Sequence, residues 1–211
     1  MKSEEHHRYR SWEYCYGYFR GADPKDIEQA ALHLGFYLAS WGMYRGSSFL
    51  LQSAYPVHLG VIKILLKPQF SILREQEFGA GSNDAEFVPR IQDAVNEIRG
   101  AYADLGRPTD TLVTKIILGT LGCLPAYDAY FIDGFKSEQK TFSNLKSKEG
   151  FNESVGDILR FCHDNLQDLQ AEQRRIEDIG AVRYPLMKLV DMYFWQIGFK
   201  RRQEAKEQKN T

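Results

Sequence analysis

The sequence predicts an all-α fold of roughly seven to nine helices, and three observations lead to this class. Apolar residues recur at spacings of three and four along most of the chain, as they do on one face of a helix. Helix-start and helix-stop residues bound these segments, and the alternating pattern of strands is almost absent. We expect a single all-α domain over residues 1–200 and a charged, disordered tail over residues 201–211.

The first long helix is predicted to begin at Asp23 and Pro24, an N-cap residue followed by proline at the first helical position. Apolar residues then recur at helical spacing, namely Leu32, Phe36, Ala39 and Met43. Because the other faces of this segment are also apolar, we expect a central helix. Gly42 and Gly46 each cost about 1 kcal/mol relative to alanine inside a helix, so the helix should end or break there.

The middle of the chain is predicted to hold a short helix, a loop and an amphipathic helix. The short helix ends at Pro68, and the loop covers residues 69–83. The Gly-Ala-Gly of this loop has neither the GxGxxG nor the Walker spacing and is interpreted as a flexible connection. The amphipathic helix begins with Asn83 or Asp84 as its cap and stops at Gly106.

The second half of the chain continues the helical pattern. Thr109 is a natural cap for an apolar helix, and the turn CLPAYD over residues 123–128 leads into a shorter helix. A polar, basic connection over residues 136–150 precedes a long amphipathic helix over residues 152–180. The last helix is predicted over residues 183–199.

Charge and hydropathy limit the partners and the location. The net charge of −1 excludes a large, sequence-independent surface for polyanions, although it leaves room for a local cationic patch. No apolar run reaches the ~18 residues of a spanning helix, and the N-terminus lacks the apolar core of a signal peptide. We therefore expect a cytoplasmic protein that makes no membrane contact. The sequence does not define the oligomeric state, and we favour a monomer.

The sequence carries no metal-binding or nucleophile motif, so we expect neither a metal nor a cofactor. Its cysteines form no CxxC pair, which excludes a zinc ribbon and a four-cysteine iron–sulfur cluster. No HExxH, pair of Glu-x-x-His motifs or GxSxG elbow occurs either. The single histidines and the cysteines are interpreted as structural residues, namely His33, His58, His163, Cys15, Cys123 and Cys162.

One stretch places a carboxylate among aromatic residues directly after a helix and a turn. In LVTKIILGTLGCLPAYDAYFIDG, Asp128 lies between Tyr127 and Tyr130 and precedes a short helix. An aspartate at this position is either a helix cap or a catalytic acid, and the two roles are compatible because a cap holds the carboxylate still. Asp191, on the aromatic last helix, competes with Asp128 for any catalytic role.

The segment KIILGTLGCLPAYDAYF resembles the core of the helix-hairpin-helix superfamily of base-excision DNA glycosylases. In that superfamily an apolar helix ends in a small residue and a glycine, and a proline or valine then precedes a catalytic aspartate near the next helix start. The resemblance implies that Asp128 stabilises the positive charge that develops on the deoxyribose as the base leaves. It also implies an extrahelical base that is held by aromatic side chains.

The chain departs from the superfamily pattern in its hairpin and in its lysine. The hairpin usually reads like LPGVGxxTA, whereas LGRPTDTLVTK has one glycine, so the amides that grip phosphate are expected from the helix start at Pro108 to Thr111. Lys115 is too close to Asp128 to match the Schiff-base lysine of bifunctional members. The superfamily's four-cysteine cluster is also absent. We therefore expect a monofunctional enzyme in which water attacks the sugar.

The resemblance implies roles for two further groups of residues. The base pocket is expected to include three aromatic residues, namely Trp41, Tyr44 and Tyr127. Phosphate contacts are expected from polar and cationic residues, namely Arg45, Ser47, Ser48, Thr109, Thr111 and Lys115. The implied function is the excision of a modified base, bulky or glucosylated, from double-stranded DNA in defence against phage. Two alternatives stay open: a non-catalytic helical interaction protein, and an α-bundle that binds a small molecule.

Overall fold

A computed structural model describes residues 7–21, 26–81, 84–138, 145, 147–178 and 182–209 of the chain. These residues form ten α-helices and two short 3₁₀ helices, with no strand among them, so the predicted all-α class is confirmed. The helix count exceeds the expected range because an additional helix follows Pro68 and one predicted helix is divided in two. Within the described ranges, none of the helices combines the length and the apolar character needed to cross a bilayer.

The contacts within the chain divide it into two compact units. The first unit comprises Met1–Gln76 and Pro89–Cys123, and the second comprises Glu77–Val88 and Leu124–Thr211. The expectation of one domain over residues 1–200 stays a prediction.

The first unit is built around α1, which packs against both α2 and α6. The indole N–H of Trp12 on α1 donates to the carbonyl of Leu118 on α6 across 3.1 Å in the core. Gly119 of α6 lies against Tyr37 of α2, since a Cβ at residue 119 would come within 2.5 Å of the Tyr37 ring. The elements of this unit are α1 (Tyr9–Gly21), α2 (Ile27–Ser40), 3₁₀ helices at Phe49–Gln52 and Tyr55–His58, α3 (Leu59–Leu65), α4 (Pro68–Glu75), most of α5 (Asp84–Ala101), and α6 (Asp110–Thr120).

The second unit is dominated by the packing of α7 along α10. Its helices are α7 (Ala129–Ser137), α8 (Lys148–Asp164), α9 (Leu166–Asp178) and α10 (Leu186–Lys209). Two glycines lie at the crossing of α7 and α10. A Cβ at Gly134 would lie 2.0 Å from the carbonyl oxygen of Phe194, and one at Gly198 would lie 1.9 Å from that of Tyr130. The two backbones therefore approach so closely that only glycine fits at either position.

Helix α2 begins at Ile27, later than the predicted start. The carboxylate of Asp26 is its N-cap and accepts hydrogen bonds from the backbone N–H groups of Glu28 and Gln29, at 2.9 and 3.1 Å. The predicted cap, Asp23, lies outside the described residues.

Two other predicted boundaries are confirmed. Helix α2 ends at Ser40, and the glycines that follow it, Gly42 and Gly46, have φ angles of 74° and 61°. Such left-handed backbone cannot continue a helix and is readily adopted only by glycine. Helix α6 is capped by Thr109, whose hydroxyl accepts a hydrogen bond from the N–H of Leu112 at 3.2 Å.

The boundaries predicted around α4 and α5 are wrong. Residues 69–83 were expected to form a loop, whereas Pro68–Glu75 is a helix. Proline is compatible with the first helical position, where its missing N–H would have no partner in any case. Pro68 therefore follows the end of α3 and is also the first residue of α4. Asp84, one of the two expected cap residues of α5, is its first described helical residue, and Asn83 lies outside the described residues. Helix α5 ends at Ala101, and turns connect it to Gly106.

The predictions for the C-terminal third also need correction. The helix expected over residues 152–180 is divided at Asn165, whose side-chain amide and backbone N–H both donate to the carbonyl of Phe161, at 2.8 and 3.1 Å. A side chain that competes in this way for a helical carbonyl favours termination. Residues 201–209 continue α10 and do not form a disordered tail, because lysine, arginine, glutamate, glutamine and alanine are strong helix formers.

Candidate active site at the Asp128 turn

Asp128 is the N-cap of α7, at the end of the turn that follows α6. Its backbone is extended, with φ −88° and ψ 171°, and its Oδ1 atom accepts hydrogen bonds from the N–H groups of Tyr130 and Phe131, each at 3.0 Å. The side chain is half-buried. The capping role is therefore confirmed, and the same two bonds fix the direction of a partly accessible carboxylate.

A buried ion pair on α10 holds the turn in front of Asp128. The carboxylate of Asp191 accepts a hydrogen bond from the backbone N–H of Ala126 through Oδ1 and another from the Lys188 ammonium through Oδ2, both at 3.0 Å. The side chains of Lys188 and Asp191 are 4% and 9% exposed. Charges are buried at this depth only when they are paired and hydrogen-bonded. Asp191, the competitor for a catalytic role in the sequence, thus anchors the Asp128 turn.

Tyr127 lies in the core of the second unit. Its side chain is 1% exposed, and its ring stacks on Phe131 with 5.5 Å between the centroids. Phe131 in turn stacks on Phe135 of the same helix, so the three rings form one buried column. A base cannot stack on a ring that is covered to this degree. The assignment of Tyr127 to the base pocket is therefore corrected to a core position.

Tyr130 is the aromatic neighbour of Asp128 that stays accessible. Its half-buried ring packs edge-on against two half-buried rings of α10, Trp195 and Phe199, with centroids 5.1 and 5.6 Å away. Trp195 and Phe199 stack on each other at 5.0 Å. An aromatic surface of three rings therefore begins two residues after the candidate catalytic acid.

Arg202 connects this aromatic surface with the charges of α7. Its guanidinium lies over the Tyr130 ring, 5.1 Å from the centroid, and its Nε donates to Oδ2 of Asp133 at 2.5 Å. The pKa of Arg202 is raised mainly by this hydrogen bond, partly opposed by burial, and the charge of Asp128 contributes to the rise. The Nη2 atom of Arg202 also donates to the carbonyl of Ala129, the residue after Asp128, at 3.5 Å.

In the first unit, two cations lie against Trp41, which the sequence assigned to the base pocket. The Lys115 ammonium is 4.8 Å from the indole centroid, and the Arg8 guanidinium is 4.7 Å from it. The structure thus brings together two of the predicted residues, Trp41 and Lys115. Lys115 is only 3% exposed, however, so its ammonium contacts the indole face and is closed to a DNA phosphate. The phosphate role of Lys115 is corrected accordingly.

Tyr44 is tied to a buried histidine. Its hydroxyl lies 2.6 Å from Nε2 of His58, and Nδ1 of the same ring lies 2.6 Å from the hydroxyl of Tyr102. Burial lowers the pKa of His58 to about 4. The imidazole is therefore neutral near neutral pH, donating to one hydroxyl and accepting from the other. His58 has the structural role expected of it, and the role of Tyr44 in a base pocket stays a prediction.

Two of the hydroxyl groups assigned to phosphate are engaged as helix caps. Ser48 accepts a hydrogen bond from the N–H of Leu50 at 3.2 Å, and Thr109 makes the equivalent bond for α6. Arg45 and Ser47 are exposed and Thr111 is half-buried. A hydroxyl that accepts a hydrogen bond as a cap can still donate its own proton, so the phosphate roles of all five residues stay predictions.

No metal centre is formed by the part of the chain that the structure describes, where no three His, Cys, Asp or Glu side chains converge. The cysteines are buried free thiols. Burial raises the pKa of each thiol, which keeps it protonated and unreactive. The interpretation of the cysteines as structural residues is therefore supported.

Comparisons of the chain with protein-family models, with curated proteins and with solved structures found no match. Function therefore has to be inferred from the geometry of the chain itself. The most specific geometry lies at the Asp128 turn, where a fixed carboxylate, a buried ion pair and an accessible aromatic ring occur together.

The sequence predicted no role at this site for three of its residues, namely Lys188, Tyr130 and Arg202. Lys188 and Asp191 are three residues apart in an otherwise apolar stretch of helix, and this spacing allows the two side chains to pair. Arg202 lies in the charged run KRRQEAKEQK, where nothing distinguishes it from its neighbours.

Proposed function

We propose that the protein is a monofunctional DNA glycosylase, which hydrolyses the N-glycosidic bond of a modified base and leaves an abasic site. The resemblance of the Asp128 stretch to the helix-hairpin-helix superfamily motivates this proposal. The observation that supports it best is the half-buried Asp128 carboxylate, held by two backbone N–H groups. The proposal includes a monomeric enzyme of the cytoplasm that acts in defence against phage, on double-stranded DNA with bulky or glucosylated bases.

The chemistry requires a negative charge beside the sugar. The oxygen of a water molecule bonds to C1′ as the N-glycosidic bond breaks, the bonding electron pair leaves with the base, and one proton of the water ends on the released base. Positive charge builds up on the deoxyribose during this exchange. A carboxylate that is already oriented stabilises this charge without having to reorganise at the moment of reaction. Asp128 would supply that carboxylate.

The anchor of the turn supports the same role. Asp191 accepts the N–H of Ala126, two residues before Asp128, and is itself paired with Lys188 in the core. The cap restrains Asp128 from the helix side, and the ion pair restrains the turn from the other side. A site that is restrained from both sides meets the requirement of pre-organisation for catalysis.

The test is base release from DNA of phages that carry different base modifications, with unmodified DNA as the reference. Abasic sites are counted, and strand breaks are measured before and after alkali treatment. We expect abasic sites with intact strands until alkali is added, as hydrolysis without lyase activity requires. Asp128→Asn keeps an efficient N-cap while it removes the charge. We expect this substitution to lower the rate of base release by at least about 100-fold.

The chain offers a matched control in Asp26. Its carboxylate caps α2 with the same pair of hydrogen bonds, to Glu28 and Gln29. Asp26→Asn therefore makes the same chemical change at the same kind of helix position and should leave base release unchanged. Base release at the wild-type rate by the Asp128→Asn variant, or the absence of base release from every DNA by the wild-type protein, would contradict the proposal.

A specific observation favours a second candidate, a non-catalytic helical interaction protein. Leu32 and Phe36, four residues apart on α2, are 49% and 57% exposed, so two large apolar side chains lie side by side on one exposed helix face, as at an interaction surface. In this function Asp128 is a cap and nothing more. A non-catalytic interaction protein would release no base from any DNA in the assay described above.

A further inference from the structure

Arg202 of α10 contacts the first two turns of α7, directly after Asp128. Its Nε donates to Oδ2 of Asp133, and its Nη2 donates to the carbonyl of Ala129 at 3.5 Å. Its guanidinium also lies over the Tyr130 ring, 5.1 Å from the centroid. Three groups of α7 therefore hold this guanidinium beside the candidate catalytic turn.

Arg202 retains hydrogen-bond donors that no described residue uses. A guanidinium has five N–H groups. The contacts with Asp133 and Ala129 engage one group each, which leaves three without an acceptor among the described residues. The side chain of Arg202 is also 44% exposed, so a ligand has access to these donors.

The ion pair of Arg202 with Asp133 is weak enough to be exchanged for another anion. Both side chains lie at the surface, and exposed ion pairs contribute little to stability. Arginine binds phosphate through two parallel N–H···O bonds, and such charge-assisted bonds are about twice as strong as neutral ones. A phosphodiester can therefore bind Arg202 beside Asp133 or in its place.

The chemistry proposed for Asp128 creates a need for a cation at this turn. The deoxyribose of a DNA strand is bonded to phosphates on both sides, so a sugar at Asp128 brings negative charge toward this carboxylate. A positive charge next to both anions offsets their repulsion. Arg202 supplies such a charge, since it hydrogen-bonds the residue that follows Asp128.

We infer that Arg202 binds a phosphate that flanks the sugar at Asp128. The position of that sugar rests on the proposed function. The contact fixes the strand at the carboxylate and carries no base specificity, because every nucleotide presents the same phosphate. Asp133 competes with the phosphate for the guanidinium, so the two members of this ion pair have opposite effects on DNA binding.

The test measures binding of a short fluorescein-labelled duplex to the full chain by anisotropy. The duplex carries one tetrahydrofuran residue, which is a stable analogue of an abasic nucleotide and has no base to release. We expect Arg202→Gln to lower the affinity at least about fivefold. The slope of log K against log salt between about 50 and 200 mM should decrease by about one, as for the loss of one phosphate contact.

Asp133→Asn separates this role from one in helix packing. The substitution breaks the same ion pair but leaves the arginine in place, so the affinity for the duplex should stay the same or increase. Arg202→Lys keeps the charge and should retain most of the salt slope. Equal losses of affinity in Arg202→Gln and Asp133→Asn would show that the pair only holds α7 against α10, and the inference would be overturned.

Arg175 of α9 provides a matched control for the loss of an exposed, ion-paired arginine. It donates through Nε and Nη2 to the carboxylate of Glu172, and the two side chains are 62% and 44% exposed. Arg175→Gln should change the affinity by less than about twofold, with the salt slope retained. An effect as large as that of Arg202→Gln would mean that binding responds to net charge alone, which overturns the inference.

Base release by the same variants distinguishes a failure of this inference from a failure of the proposed function. In an active enzyme, Arg202→Gln should raise KM at least about fivefold and change kcat less, as for a contact that the ground state and the transition state share. An active enzyme whose Arg202→Gln variant binds the duplex normally keeps the proposed function and loses the inference.

Two further outcomes complete the test. Duplex binding that depends on Arg202, in a protein that releases no base from any DNA, contradicts the glycosylase and leaves Arg202 as a phosphate contact. The absence of duplex binding by the wild-type protein at about 50 mM salt overturns the inference.

Discussion

Asp26 and Asp128 make the same helix cap in two different settings. Each accepts two hydrogen bonds through Oδ1 from backbone N–H groups two and three residues later, at distances between 2.9 and 3.1 Å. Asp26 is exposed, and the two residues it caps, Glu28 and Gln29, are exposed and polar. Asp128 is half-buried, and the residues it caps are aromatic. The cap itself is thus a local motif that carries no information about function.

Helices α2 and α7, which these two aspartates cap, also differ in how closely they pack against their neighbours. A Cβ at Gly35 of α2 would make only ordinary contacts, the nearest being the Cβ atom of Tyr55 at 3.5 Å, whereas one at Gly134 of α7 would collide with a backbone carbonyl of α10. The turn before α7 is tied to the buried Lys188–Asp191 pair. What distinguishes Asp128 is therefore the rigidity of its surroundings, and four predictions test this difference.

The largest effect is expected from breaking the buried pair. Lys188→Met leaves the Asp191 carboxylate in the core without its cation, and removal of one partner of a buried pair costs about 3–5 kcal/mol. Arg175→Met is the matched change in an exposed pair, since Arg175 and Glu172 are also three residues apart. Urea denaturation should show a large loss of unfolding free energy for Lys188→Met and almost none for Arg175→Met.

The double variant Lys188→Met/Asp191→Leu sharpens this result. It removes both charges and should recover a substantial part of the lost stability, because no unpaired charge stays buried. Equal and small losses for Lys188→Met and Arg175→Met would mean that the turn at Asp128 is not held by a buried charge.

The second prediction concerns His58, a buried residue whose ring lies next to Gly35 of α2. The pKa of His58 is lowered by burial from 6.5 to about 4, so the unfolded chain binds more protons than the fold between these values. Stability is therefore complete above pH 6.5 and falls as the pH decreases toward 4, by about 3 kcal/mol in total for this group. Chemical denaturation from acid to neutral pH should show this loss.

His58→Gln is the variant that isolates the effect. Glutamine offers a donor and an acceptor to the two tyrosine hydroxyls, as the neutral imidazole does, but it does not titrate. The curve of unfolding free energy against pH should be flatter in the variant than in the wild type over the same interval. Identical slopes would show that His58 is accessible to protons in the fold.

The third prediction compares the two glycines directly. Gly134→Ala places a methyl group where the Phe194 carbonyl oxygen lies 2.0 Å away, and we expect a loss of at least about 2 kcal/mol from overpacking. Gly35→Ala meets no such obstacle and should gain up to about 1 kcal/mol from helix propensity. Thermal or urea unfolding of the two variants provides the measurement, and a tolerated Gly134→Ala would contradict the close crossing of α7 and α10.

The sequence was sufficient for features that depend on near neighbours. The caps at Thr109 and Asp128 and the break at Gly42 each follow from residues within three or four positions, which is the range of a helix cap or turn. The split at Asn165 and the start at Pro68 are also local, but there the same residue types are compatible with more than one outcome.

The sequence was insufficient where distant segments meet. Ala126 and Asp191 are 65 residues apart, and no periodicity indicates which backbone N–H a buried acid will accept. The burial of Tyr127 and Lys115 is equally invisible, since tyrosine is only intermediate in its tendency to be buried and lysine is rarely buried at all. The pocket and phosphate roles that the resemblance implied therefore do not hold at these two positions.

The smallest expected change in stability comes from removing either helix cap, at Asp26 or at Asp128. Asp26→Ala and Asp128→Ala each remove a capping oxygen, and each should lower the free energy of unfolding by about 1 kcal/mol, as measured by urea denaturation. Base release should be lost only in the Asp128 variant. A much larger loss of stability at Asp128 than at Asp26 would mean that its carboxylate holds more than a helix end, and inactivity of that variant would then reflect unfolding. Equal losses of stability with unequal activity separate the chemistry of Asp128 from its cap.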